Sequence, residues 1–171
     1  MKAHGSNSAP EAVVIPTDVA RYVRGGVHST RELRAYLQRR GFTRSEAARL
    51  LERLKAAGAA DDEAGARLWV EQWARAGYAW AAIHAKLSAK GFDERAIRRA
   101  AGRDAAADDR SRAFGVVAER LRRAVAEGGR PRTDLARRQR ARLARRLAAR
   151  GFDADLIERV LDESLGRRPS D

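Results

Sequence analysis

The feature that most constrains this chain is the fifteen-residue stretch Ile83–Ile97, because a variant of it occurs three times. Ile83 and Leu87 stand four apart and so share one face of a helix. Gly91 can take the left-handed conformation that ends a helix, since it has no Cβ to clash. Phe92 is placed to pin the corner into a core, and Asp93 to accept hydrogen bonds from the free N–H groups opening the next helix. The other copies are Leu33, Leu37, Arg40, Gly41, Phe42, Thr43 and Leu143, Leu147, Arg150, Gly151, Phe152, Asp153. In each copy apolar residues stand eight and four places before the glycine, a cation just before it, Phe just after, and a capping residue next. Ala47, Ile97 and Ile157 then hold equivalent places in the following helix. Agreement at so many offsets predicts a helical repeat protein.

The corner units order the rest of the chain. Residues 1–16 carry Gly, Ser, Asn and Pro without periodicity and are expected to form a flexible lead. A first repeat is predicted over 17–58, with a short first helix from Asp18 to Val23 broken at Gly25-Gly26. Ser29 with Glu32, and Thr43 with Glu46, have the spacing of capping boxes. A second repeat is predicted over 59–104, opened by Asp61-Asp62, with Ala66, Trp69, Val70 and Trp73 at helical spacing. A third, over 105–166, is opened by Asp108-Asp109 and carries Phe114, Val117, Leu121 and Val125 along one face. Gly128-Gly129-Arg130-Pro131 makes a loop within it, an Arg-dense helix follows to about Arg150, and residues 167–171 form a tail. The fold class is therefore all-α, an elongated curved array of three tandem three-helix repeats. All four prolines fall in linkers or tails, which leaves the remainder free to be helical. Much of the 44% hydrophobic content is Ala, so each repeat should have a thin core and lean on its neighbours.

Function classes narrow quickly. Without cysteine there can be no disulfide, zinc–thiolate site or thiol catalysis. His4, His28 and His84 lie far apart and in no metal-ligand spacing, and neither a phosphate-binding Gly-rich loop nor a nucleophile elbow is present. The two acid pairs, both at helix starts, read as caps in preference to metal ligands. A non-enzyme without cofactor or metal is expected. The longest early apolar run, Ala12-Val13-Val14-Ile15, is too short for a signal-peptide core or a membrane span, so a cytoplasmic protein with no membrane partner is expected.

Charge is what remains. The chain carries 36 Lys and Arg against 23 acids, a net +13. From Arg110 to Arg150 there are fourteen Arg against Glu119, Glu127 and Asp134, a local balance of 14 − 3 = +11, whereas residues 61–109 balance at 8 − 9 = −1. On a helical projection Ala136, Leu143 and Leu147 form a slim apolar sector. Arg137, Arg138, Arg142 and Arg145 fall outside it and Arg146 flanks it. Guanidinium groups so gathered can grip phosphate or carboxylate with paired hydrogen bonds. Arg150, together with Lys86, Lys90, Arg39 and Arg40 at matching places in the other repeats, completes the candidate basic face. The bland alternative is a solvated charged helix, but such helices usually interleave the two signs. Trp69, Trp73, Tyr78 and Trp80 could stack on unpaired bases, although Trp69 and Trp73 have the spacing of core residues.

Taken in order, these elements resemble the RecX family, bacterial modulators of the RecA recombinase. The residues that carry the resemblance include Leu33-Arg34-Ala35-Tyr36-Leu37 with Gly41-Phe42, and Asp61-Asp62 with Ala66 and Trp69-Val70. Arg75-Ala76-Gly77-Tyr78 and the two later corners, Gly91-Phe92-Asp93 and Gly151-Phe152-Asp153, continue it over about residues 29 to 165. The chain departs from the family pattern at Gly65, Trp73 and Ala79-Trp80. The resemblance implies a protein that lies in the groove of the RecA–DNA filament and bridges its protomers. There it would damp strand exchange, ATP hydrolysis and co-protease activity in DNA repair and the SOS response. A monomer that also binds single- or double-stranded DNA weakly and salt-dependently is expected. The runner-up is a DNA-binding protein of low sequence specificity acting without RecA.

Overall fold

The computed structural model describes residues 14–102, 108–126 and 133–166. Most of the expected lead, the Gly128–Pro131 loop and the 167–171 tail lie outside the described residues, as do the side chains of Val125 and Ala136. Among the described residues there are nine helices and no strand. They are α1 (Thr17–Arg24), α2 (Thr30–Arg39), α3 (Arg44–Ala56), α4 (Asp62–Arg75), α5 (Trp80–Ala89), α6 (Glu94–Ala101), α7 (Asp109–Ala126), α8 (Thr133–Ala148) and α9 (Ala154–Leu165).

The three corners are built alike, by the same backbone hydrogen bonds. Gly41, Gly91 and Gly151 have φ of 89°, 85° and 84°. At each, the phenylalanine N–H donates to the carbonyl five residues back: Phe42 to Leu37 (3.2 Å), Phe92 to Leu87 (3.2 Å) and Phe152 to Leu147 (3.3 Å). The glycine N–H donates to the carbonyl three back, which completes a Schellman closure and satisfies carbonyls that the helix end would orphan. Thr43, Asp93 and Asp153 then cap α3, α6 and α9 with their side chains. Thr43 and Glu46 form the full reciprocal box. Ser29 and Glu32 make only half of theirs: Ser29 Oγ accepts from Glu32 N–H, while the Glu32 carboxylate turns to His28 at 3.4 Å.

Three separate buried clusters follow, each drawn chiefly from three consecutive helices. The apolar pairs before the corners, Leu33 and Leu37, Ile83 and Leu87, Leu143 and Leu147, are all at most 1% exposed. Ala47, Ile97 and Ile157 are buried opposite them. Full burial of a Leu or Ile side chain stabilises by about 1.5–3 kcal/mol, so these six anchor the triads. The second core is thin: its fully buried members are Ala66, Ile83, Leu87, Phe92 and Ile97, with Trp69, Trp73, Tyr78 and Trp80 half-buried around them. Gly65, inside α4, lets the Phe92 ring and Val27 close in, since a Cβ there would stand 3.1 Å from each. Cores also reach across junctions. Val27, ahead of α2, packs on the second cluster, and Ala79, ahead of α5, is buried in the third.

Candidate functional site

Helix α8 sorts its arginines by face. Leu143 and Leu147 point to the third core, and Arg140, one turn before Leu143, is turned inwards with them and is only 8% exposed. Its guanidinium reaches Glu158 and Asp162 on α9, both at 2.6 Å. Burial opposes that charge, but the hydrogen bonds to Glu158 and Asp162 outweigh it and hold the group more firmly protonated than usual. Arg140 is thus a strut between α8 and α9. Arg137, Arg138, Arg142, Arg145 and Arg146 are exposed. Among the described residues none of these five has a carboxylate partner. Helices α3, α4, α6 and α7 each carry at least one ion pair three or four residues apart, such as Lys55–Glu52, Arg67–Glu63, Arg98–Glu94 and Arg123–Glu119. Like charges at that spacing cost roughly what opposite ones contribute, about 0.2–0.5 kcal/mol a pair. Arg138, Arg142 and Arg146, each four apart, therefore maintain an electrostatic tension that folding alone does not require.

Arg146 and Arg150 lead from this face into a cleft of about 470 Å³ between the end of α4 and helices α7 and α8. Six arginines line it (Arg75, Arg112, Arg120, Arg123, Arg146 and Arg150) against a single carboxylate, Glu119, a balance of 6 − 1 = +5. Some of this charge is internally matched: Arg112 pairs with Asp109, Arg123 with Glu119, and Arg75 with Glu71. Arg150 Nε donates to the Ala76 carbonyl at 3.4 Å. Burial pushes its guanidinium below the ordinary range, and neighbouring Arg146 pushes the same way while Tyr78 opposes. An anion entering the cleft would relieve that crowding.

The matching cations of the other triads are placed differently. Lys90 Nζ lies 4.4 Å from the Trp69 ring centre, and Trp69 stacks on Trp73 at 4.9 Å. Lys86 Nζ lies 5.6 Å from Trp73 and 4.7 Å from Tyr78, and the Arg150 guanidinium stands 5.8 Å from Tyr78. Cations and rings thus alternate across α4, α5 and the end of α8. Both indoles of α4 already have partners, which leaves them poorly placed to stack on bases. Arg40 is engaged in the first triad: its Nε donates to Asp18 at 2.9 Å, and that bond holds the Asp18 carboxyl below its usual range. Arg39 is exposed. The structure therefore leaves Arg137, Arg138, Arg142, Arg145 and Arg146 exposed on α8, and Arg150, Lys86, Lys90 and Arg40 as partnered cations.

One role in the acid pairs escaped sequence reasoning. Asp61 caps its own helix, accepting from Glu63 and Ala64. Asp62 instead accepts from the Thr30 N–H of the preceding triad at 2.6 Å, and Asp109 likewise accepts from the Trp80 N–H at 2.8 Å. Two adjacent acids with one helix start between them were the available signal, since one cap needs only one.

Among the described residues no group of three or more His, Asp and Glu is assembled that could hold a metal, and no helix is long and apolar enough to cross a membrane. Fold and surface together define a helical-triad protein with exposed arginines on α8 and an arginine-lined cleft beside it. No family profile matches the chain. It is 39% identical over 132 residues to the regulatory protein RecX of Mycobacterium tuberculosis, covering 76% of this chain and 74% of that one. A second regulatory protein RecX, from Mycobacterium sp. (strain KMS), is 34% identical over 143 residues, 80% of this chain and 74% of the relative. The chain belongs to the RecX family of regulatory proteins. Its fold is similar to the crystal structure of RecX from Lactobacillus salivarius, with a TM-score of 0.63 at 15% identity over 85% of this chain and 91% of that one. A second RecX crystal structure matches with a TM-score of 0.62 at 18% identity, over 85% and 70% of the two chains. The all-helical fold expected from the corner units is thereby established.

Proposed function

We propose that this protein binds the RecA–DNA filament in the cytoplasm and restrains its recombinase, ATPase and co-protease activities. The observation that carries this reading is the set of exposed α8 arginines, which have no carboxylate partner among the described residues and run into the arginine-lined cleft. Family membership supplies the regulatory setting. A surface of this kind suits an acidic protein groove with phosphates nearby, and it acts by occupying that groove, with no chemical step of its own. Titrating the protein into RecA's DNA-dependent ATP hydrolysis tests the proposal. Inhibition at stoichiometric protein is expected, and an unchanged rate would overturn it. The arginine surface by itself also favours the second reading, low-specificity DNA binding without RecA. Under that reading, affinity for bare single strands would fall steeply with salt and be indifferent to added RecA.

A further inference from the structure

We infer that Asp62 and Asp109 are positioning residues: each locks one helical triad onto the next, and together they set the curvature of the array. The two junctions are built from the same three contacts. First, the head of a middle helix donates to the end of the next triad's middle helix: Ser29 Oγ–H to the Lys90 carbonyl (2.6 Å), and Ala79 N–H to the Arg150 carbonyl (2.9 Å). Second, the first N–H of that helix donates to the acid opening the next triad: Thr30 to Asp62 and Trp80 to Asp109. Third, the next triad's corner glycine lies against that first turn. A Cβ on Gly91 would stand 3.1 Å from Ser29 Oγ, and one on Gly151 would stand 2.6 Å from the Ala82 Cβ. A Cβ on Gly41, which has no triad before it among the described residues, would meet nothing within 4 Å.

The second contact is the one that side-chain chemistry controls at both junctions, whereas it controls the first only where Ser29 supplies its hydroxyl. The first N–H groups of a helix have no partner within it, so Thr30 and Trp80 depend on these carboxylates. A carboxylate facing a helix start is favoured further by the helix dipole. Asp109 is also tied to Arg112, so the second lock holds one wall of the basic cleft. Because the same geometry recurs with unlike neighbours (Ser29-Thr30 at one junction, Ala79-Trp80 at the other), it belongs to the junction and not to one local sequence.

The lock stands on geometry alone, while its consequence for filament binding rests on the proposed function. The test is amide hydrogen exchange and small-angle scattering on the full chain, with Asp62→Ala/Asp109→Ala compared with Asp62→Asn/Asp109→Asn. In the alanine variant the Thr30 and Trp80 amides should exchange about tenfold faster or more, and the scattering profile should shift, with helix content kept. The asparagine variant, which keeps an acceptor, should stay near wild type. Thr30→Pro provides a second route at the first junction. Proline is favoured at a first helical position, and Ser29 already has the extended backbone it demands (φ −73°, ψ 155°), so the donor is removed with the helix intact. This variant should shift the scattering in the same sense. Unchanged Thr30 and Trp80 exchange with unchanged scattering in the alanine variant would overturn the lock. Several-fold weaker RecA inhibition by the alanine variant is the functional expectation. Should wild type itself not inhibit, the filament reading fails while exchange and scattering still judge the lock.

Discussion

Three phenylalanines occupy equivalent corners, yet they are not equally committed to the core. Phe92 and Phe152 are 4% and 6% exposed, whereas Phe42 is half-buried at the edge of the first cluster. Phe92 alone is also met by a glycine on the opposing helix, Gly65, and so sits deepest in the thinnest core. Phe92→Ala should therefore destabilise by about 3–5 kcal/mol, the range for a buried aromatic. Phe42→Ala should cost clearly less. Chemical denaturation of the two variants side by side checks this, and equal losses would mean that the corners are energetically interchangeable despite their different burial.

At the scale of helices, what decides stability is how each element is tied to its neighbours. Helix α1 is eight residues long and has no side-chain cap at its start. It is held to α2 by Val19 in the core, by Tyr22 stacked on Tyr36 at 3.8 Å, and by the Asp18–Arg40 pair. The hydrogen bond from Arg40 lowers the Asp18 carboxyl in the folded state, so its stabilisation is fully present above the ordinary carboxylate range. It is lost as pH falls through the lowered value. The gap in thermal midpoint between wild type and Asp18→Asn should accordingly be constant near neutrality and close on acidification; a gap that persists in acid would show that the pair does not titrate as described. The corners were legible in the sequence because each rests on local chemistry: a glycine, a capping residue and apolar residues four apart. The inward turn of Arg140 was missed, because Arg140 was counted only among the fourteen arginines, although standing three places before Leu143 was the available signal. Of the lock acids only their surplus at the helix starts was legible and their partners were not, because those lie 32 and 29 residues earlier and pairing across a junction leaves no periodic trace. The cation–aromatic alternation was hidden for the same reason, Arg150 meeting Tyr78 only through the fold.

For the molecule as a whole, charge is shared unevenly among the triads. The third holds the largest excess of positive charge, and the second is electrically near balance. Replacing Arg138, Arg142 and Arg145 with Ala should therefore weaken partner binding while leaving helix content intact, or slightly raised as repulsion is relieved. On bare duplex the slope of log affinity against log salt should shrink by about 3, close to one unit for each arginine withdrawn from a phosphate. A salt titration of wild type and triple variant measures this, and an unchanged slope would move the anion surface off α8.

All three tryptophans, Trp69, Trp73 and Trp80, belong to the middle unit. Indole emission consequently reports on that unit and, through the Trp69 Nε1–H bond to the Val27 carbonyl (3.3 Å), on its junction with the first, whereas circular dichroism sums over every helix. Because the hydrophobic interior is split into three pockets of cohesion, melting followed by the two optical signals has no reason to coincide. The distance between their midpoints is a direct reading of how strongly the junctions couple one unit to the next.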